Sequence, residues 1–120
     1  MGPGFQVCLF AYAGLKSAYD PPKTMISHQI DYVRGWCYPH PTEDAILVAP
    51  GAKDAPWVEG ELQIISSSEL PRIDKEEYGA KYDRTMVRTR SGKLAYVYEW
   101  QGKVPKNAQP ITVFHENKSE

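Results

Sequence analysis

Three features of the chain predict a small, β-dominated α+β domain. Short apolar, β-branched and aromatic runs recur between Gly and Pro residues; a single segment carries helix start and stop signals; and 120 residues suffice for one core but not comfortably for two. The predicted architecture is a mixed, barrel-like sheet with one main helix. It forms a single domain over 1–120, with the core at about 5–100 and a polar C-terminal tail.

The first strand is Phe5-Gln6-Val7-Cys8-Leu9-Phe10-Ala11-Tyr12, a dense apolar run stopped by Ala13-Gly14. Pro21-Pro22 exclude helix from the polar stretch that follows. Ile30–Tyr38 is rich in aromatic and β-branched residues and reads as a strand bent at Gly35, with Pro39-His40-Pro41 turning the chain. Ala45–Ala49 is a short strand ended by Pro50-Gly51. Trp57–Ile65 alternates apolar with polar residues, as a half-buried strand does. Arg84–Arg90 and Leu94–Trp100 form a hairpin with Gly92 at its turn, and Ile111–Phe114 is a last short strand.

The one helix lies between the last long strand and the hairpin. Ser66-Ser67-Ser68 followed by Glu69 reads as a capped start with a capping box, Pro71 suits the first turn, and Gly79 suits the C-cap. Leu70 and Ile73 mark its buried stripe, and Glu77, seven and four residues further on, falls on the same face. A carboxylate turned inward is costly unless paired or neutralised. Spacing alone therefore leaves two readings, a solvated last-turn Glu or a functional one. Glu76 lies about 100° round the helix and is a poor substitute.

Composition removes several classes of function. Net charge is −1 and the basic residues are scattered, which argues against a nucleic-acid surface. No apolar run is long enough to span a membrane and the N-terminus lacks a signal-peptide layout, so a cytoplasmic location is expected. Cys8 and Cys37 belong to no C-x-x-C pair, and His28, His40 and His115 have no ligand spacing, so neither a metal nor a cofactor is expected. There is no G-x-S-x-G, P-loop or dinucleotide fingerprint. Two features remain: the strand-end loop Tyr12–Leu15 and the acidic helix end Asp74–Glu77.

In order and spacing, five short motifs resemble the γ-glutamylcyclotransferase-like (AIG2-like) family. Tyr12-Ala13-Gly14-Leu15 resembles its Tyr-Gly-Thr-Leu loop, and Val58-Glu59-Gly60-Glu61-Leu62 its V-x-G-x-L strand. Ile73-Asp74-Lys75-Glu76-Glu77 resembles its L-D-x-x-E segment, Tyr82-Asp83-Arg84 its Y-x-R, and Ala95-Tyr96-Val97-Tyr98 its closing A-x-V-Y strand.

The resemblance implies a small-molecule γ-glutamyl substrate whose α-amine attacks its own side-chain carbonyl. Ring closure releases 5-oxoproline and an amine or amino acid, and proximity is built into the substrate. It implies Glu77 as general acid/base, a substrate carboxylate held by backbone amides of Tyr12, Ala13, Gly14 and Leu15, and hydroxyls of Tyr82 and Tyr98 against substrate or Glu77. For both tyrosines core packing is the competing reading. Asp74 is assigned a structural job, accepting hydrogen bonds near the helix, and Arg84 is left outside the site. The expected pocket lies between the Tyr12–Leu15 loop and Glu77, with Glu77 largely buried at its floor.

The loop departs from the family, with Ala13-Gly14 where the family has Gly then Thr or Ser. A non-catalytic relative that binds a small carboxylate metabolite or a protein partner is therefore the alternative. Oligomeric state and the leaving amine are not readable from the chain.

Overall fold

The computed structural model describes residues 4–13 and 21–111. Its strands are β1 (Gln6–Ala11), β2 (Ser27–Arg34), β3 (Trp36–His40), β4 (Asp44–Val48), β5 (Trp57–Ser66), β6 (Tyr82–Arg88) and β7 (Leu94–Trp100), with one helix, α1 (Leu70–Gly79), between β5 and β6. Five strands form a mixed sheet in the order β2-β5-β1-β7-β6, and β3 and β4 make a separate hairpin. All pairings are antiparallel except β1 with β7, where Leu9 lies opposite Tyr96.

The sheet curls until its two edges meet. The β6–β7 turn reaches back to β2, where Arg90 N–H donates to the Tyr32 carbonyl at 2.8 Å and the Ser91 hydroxyl to Asp31 at 2.5 Å. That closure buries Asp31 to 3% exposure. Gly60 assists on β5: a Cβ there would stand 2.3 Å from the Phe10 ring, so only glycine lets the fully buried ring of the neighbouring strand lie over this backbone. Leu9, Phe10, Val33, Ile46, Leu47, Val58, Ile65, Val97 and Tyr98 make the centre of the core.

Most predicted elements stand where expected, and three local readings change. The chain does not turn at Pro39. Strand β3 runs through it to His40, with Pro39 opposite Ala45, because this ribbon pairs on one side along that stretch and the missing N–H is tolerated. The helix start is not a reciprocal capping box. Ser66 caps a single 3₁₀ turn (Ser67–Glu69) by accepting from Ser68 N–H at 3.1 Å, and the α-helix begins only at Leu70. Glu69 turns away to accept from the Thr24 amide and hydroxyl and from the Lys23 amide, tertiary donors that compete with the local one.

At the other end of the helix Gly79 is its last residue, and the left-handed position falls on Lys81 (φ 73°). The Ala80 amide reaches the Glu77 carbonyl at 3.0 Å, which closes the helix without glycine geometry. Of the expected final strand, Ile111 makes an isolated bridge to Cys37, and residues 112–114 lie outside those described.

Candidate active site

Helix α1 lies against the sheet through Leu70 and Ile73, both buried. Asp74 and Glu77 follow on the same side, three residues apart, and both are half-buried. Glu77 is thus less enclosed than its place on the stripe suggested. It occupies the last turn, where the helix runs past its packed face.

Opposite these carboxylates the curled sheet presents Tyr12 from the end of β1, Tyr82 and Arg84 from β6, and Tyr98 from β7. Each phenol donates to a protein acceptor. Tyr12 donates to the Tyr98 carbonyl at 2.6 Å, Tyr98 to Asp74 Oδ1 at 2.7 Å, and Tyr82 to the Ala45 carbonyl at 3.3 Å. Arg84 Nη2 stands 3.4 Å from the other oxygen of Asp74, and its guanidinium lies 4.7 Å over the Tyr96 ring. Asp74 therefore accepts hydrogen bonds, as read from the sequence, and Arg84 belongs to the same cluster although it had been left out. The available signal was the spacing: Arg84 shares a face of β6 with Tyr82, two residues away.

Burial dominates the electrostatics of the three phenols, and the Glu77 charge contributes to each. The Tyr12 phenol is pushed well above its ordinary range, first by burial, then by Tyr82, Cys37 and the Glu77 charge, with the Leu47 backbone opposing. Tyr82 is raised by burial, then by Glu43 and by Glu77. Tyr98 is raised by burial, then by its hydrogen bond to and the charge of Asp74, with Arg84 opposing and Glu77 adding to the rise. One carboxylate influences all three phenols, and each stays a neutral hydroxyl across the physiological range. Cys37, close by, is fully buried with its thiol pushed up to about 12, first by burial and then by Asp44, so it is not a nucleophile.

Of the residues singled out in the sequence, Tyr12 and Tyr98 are joined by a hydrogen bond, and the Glu77 charge is felt by Tyr12, Tyr82 and Tyr98. Ala13 directly follows Tyr12, is 7% exposed, and has φ 51°, in the left-handed region that favours glycine. Gly14 and Leu15 lie outside the described residues, and with them part of the expected pocket. No group of three or more His, Cys, Asp or Glu among the described residues could hold a metal ion. No helix among them is long and apolar enough to cross a membrane.

A curled mixed sheet with one helix, whose Asp74 meets the Tyr98 hydroxyl, defines a small α+β scaffold. The chain belongs to the AIG2-like γ-glutamyl cyclotransferase family, whose sequence model matches residues 9–117. Two solved structures share its fold. YkqA from Bacillus subtilis superposes with a TM-score of 0.65 at 16% identity, over 89% of this chain and 38% of YkqA. The uncharacterized protein PH0828 from Pyrococcus horikoshii superposes with a TM-score of 0.59 at 19% identity, over 88% of this chain and 86% of that one. No curated protein matches the chain significantly.

Proposed function

We propose that the chain is a γ-glutamyl cyclotransferase in which Glu77 moves the proton. The observation that carries this reading is the position of Glu77, half-buried on the last turn of α1 and felt by three neutral, anchored phenols. Partial removal from water raises a carboxylate toward the pH at which it can both accept and return a proton.

In the proposed reaction the Glu77 carboxylate takes a proton from the substrate's α-ammonium. The freed amine attacks the side-chain carbonyl carbon, a C–N bond forms, and a five-membered ring closes. The bond from that carbon to the leaving nitrogen then breaks as the proton held by Glu77 passes to that nitrogen, and the surplus proton left on the ring nitrogen passes through the freed carboxylate to the departing amine, which leaves as an ammonium. The products are 5-oxoproline and a free amine or amino acid. No covalent enzyme intermediate is needed, because nucleophile and electrophile belong to one molecule.

The substrate's carboxylate is assigned to the backbone of Tyr12–Leu15. The Tyr12 hydroxyl is already engaged with Tyr98, so what this loop offers is main chain. Ala13 supports the assignment, because it keeps a left-handed backbone where the family carries glycine; the added methyl has not straightened the chain.

The alternative, a non-catalytic relative binding a small carboxylate, rests on the loop's missing hydroxyl. Incubation with a panel of γ-glutamyl amino acids and γ-glutamylamines, with 5-oxoproline as the readout, separates the two. Turnover of at least one compound is expected. Saturable binding of panel members with no 5-oxoproline would establish the binding role instead.

A further inference from the structure

We propose that Arg84 is a positioning residue that sets the basicity of Glu77 by acting through Asp74 and Tyr98, an inference that rests on the reading of Glu77 as the proton carrier. Asp74 and Glu77 sit one helical turn apart on the inner side of α1, so two carboxylates share one face of a short helix. Like charges so placed raise each other's proton affinity, and the fold must decide which of them holds the proton.

Arg84 makes that decision. Its Nη2 is 3.4 Å from Asp74 Oδ2, with Arg84 and Asp74 side chains 25% and 17% exposed, so water screens the pair only in part. The Tyr98 hydroxyl takes the other oxygen, Oδ1, at 2.7 Å. One oxygen of Asp74 thus accepts a hydrogen bond and the other faces a cation, so the Asp74 charge has a partner that Glu77's neighbouring charge does not supply.

The linkage continues across the sheet. Tyr98 supplies the carbonyl that receives the Tyr12 hydroxyl at 2.6 Å, so Arg84, Asp74, Tyr98 and Tyr12 form one connected series through β6, α1, β7 and the end of β1. Stacking over Tyr96 at 4.7 Å holds the guanidinium plane, a use that suits arginine better than lysine.

Arg84 Nη1 is buried, with no hydrogen-bond partner among the described residues.

The charged and titratable groups around Glu77 are Asp74 on its own helix, Tyr12 from β1, Tyr82 and Arg84 from β6, Tyr98 from β7, and Glu43 and Cys37 by way of the tyrosines they influence. Of the described residues in this group, Arg84 is a cation, and it acts on Tyr98 and Asp74. Removing it leaves Asp74 uncompensated, and Glu77 must then hold its proton to higher pH.

The test is carboxyl-carbon NMR titration of glutamate-labelled protein, with the Glu77 resonance assigned by its loss in Glu77→Gln. In Arg84→Met the Glu77 midpoint is expected to rise by about half a unit to one unit. Arg84→Lys should keep most of the wild-type value, and adding Asp74→Asn to Arg84→Met should cancel the rise. If Arg84→Met does not fold, Asp74→Asn alone carries the test, and its Glu77 midpoint should fall. A Glu77 midpoint unchanged in the folded variants overturns the proposal whatever the activity.

In the 5-oxoproline assay the acid limb of kcat/KM should follow the NMR midpoint from variant to variant. A protein that shows the NMR shifts but releases no 5-oxoproline from any γ-glutamyl compound would contradict the cyclotransferase reading while upholding the role of Arg84.

Discussion

The Tyr12 hydroxyl donates to the Tyr98 carbonyl at 2.6 Å, a buried hydrogen bond between residues 86 apart in the chain. It stands beside the parallel pairing of β1 with β7 and joins the first residue of the candidate anion loop to the strand whose Tyr98 reaches Asp74 of α1. Tyr12→Phe keeps the ring and deletes the donor, leaving a buried carbonyl short of a partner. A loss of about 1–2 kcal/mol is expected, read as a lower urea midpoint with an unchanged slope. An unchanged midpoint would mean that the bond contributes no more than solvent does.

Ala13 occupies the left-handed region at φ 51° while nearly buried. Replacing it with glycine removes backbone strain of about 1–2 kcal/mol but also loses a methyl contact and gives the unfolded chain more freedom. These terms oppose one another, so Ala13→Gly should change stability by less than about 1 kcal/mol. Ala13→Val, with a branched Cβ at positive φ, should cost about 2 kcal/mol or more. Chemical denaturation of the two variants decides the matter. Equal stability of valine and glycine at this position would show that the left-handed backbone is not required.

Two buried carboxylates should control the acid side of stability. Asp31 accepts from the Ser91 hydroxyl at 2.5 Å, the Tyr32 amide at 2.8 Å and the Ser91 amide at 3.2 Å. Glu69 accepts from the Thr24 amide at 2.6 Å, from Arg72 at 3.1 Å and from the Lys23 amide at 3.2 Å. Burial pushes both upward, but these hydrogen bonds together win and hold each below its ordinary value of 3.8 or 4.5. A depressed folded pKa gives stability that is complete above the unfolded pKa and is lost as pH falls through the folded one. Unfolding free energy should therefore decline from about pH 5 downward. The decline should be shallower in the double variant Asp31→Asn, Glu69→Gln. Parallel pH profiles for variant and wild type would remove these two residues from the account.

The strands were legible because their signals are local. Gly35 marks the break between β2 and β3, and Gly92, at φ 93°, marks the hairpin turn. Leu70 and Ile73 gave the buried side of α1 for the same reason: the period of a helix is written in its own residues. The misread details all depend on distant partners. Glu69 looked like half of a capping box because Thr24, its actual partner, lies 45 residues away. Pro39 looked like a turn because a ribbon paired on one side can only be recognised once its neighbours are known. The parallel pairing of β1 with β7 and the closure of the sheet onto Asp31 carry no local signal. At the candidate site Glu77 and the tyrosines were reached by spacing and by resemblance. The Arg84–Asp74–Tyr98 linkage emerged only when three separate elements were brought together.

The central claim is that Glu77 carries the proton in ring closure, and Glu77→Gln tests it most directly. The change preserves the size and planarity of the side chain while removing its base. Once a γ-glutamyl compound turned over by the wild-type protein is in hand, kcat for 5-oxoproline release is measured for both proteins, with the urea midpoint as the check on folding. A fall of about 10²-fold or more in kcat, with little change in midpoint, is expected. Near-normal 5-oxoproline release by folded Glu77→Gln would contradict the account and assign the proton transfer to another group.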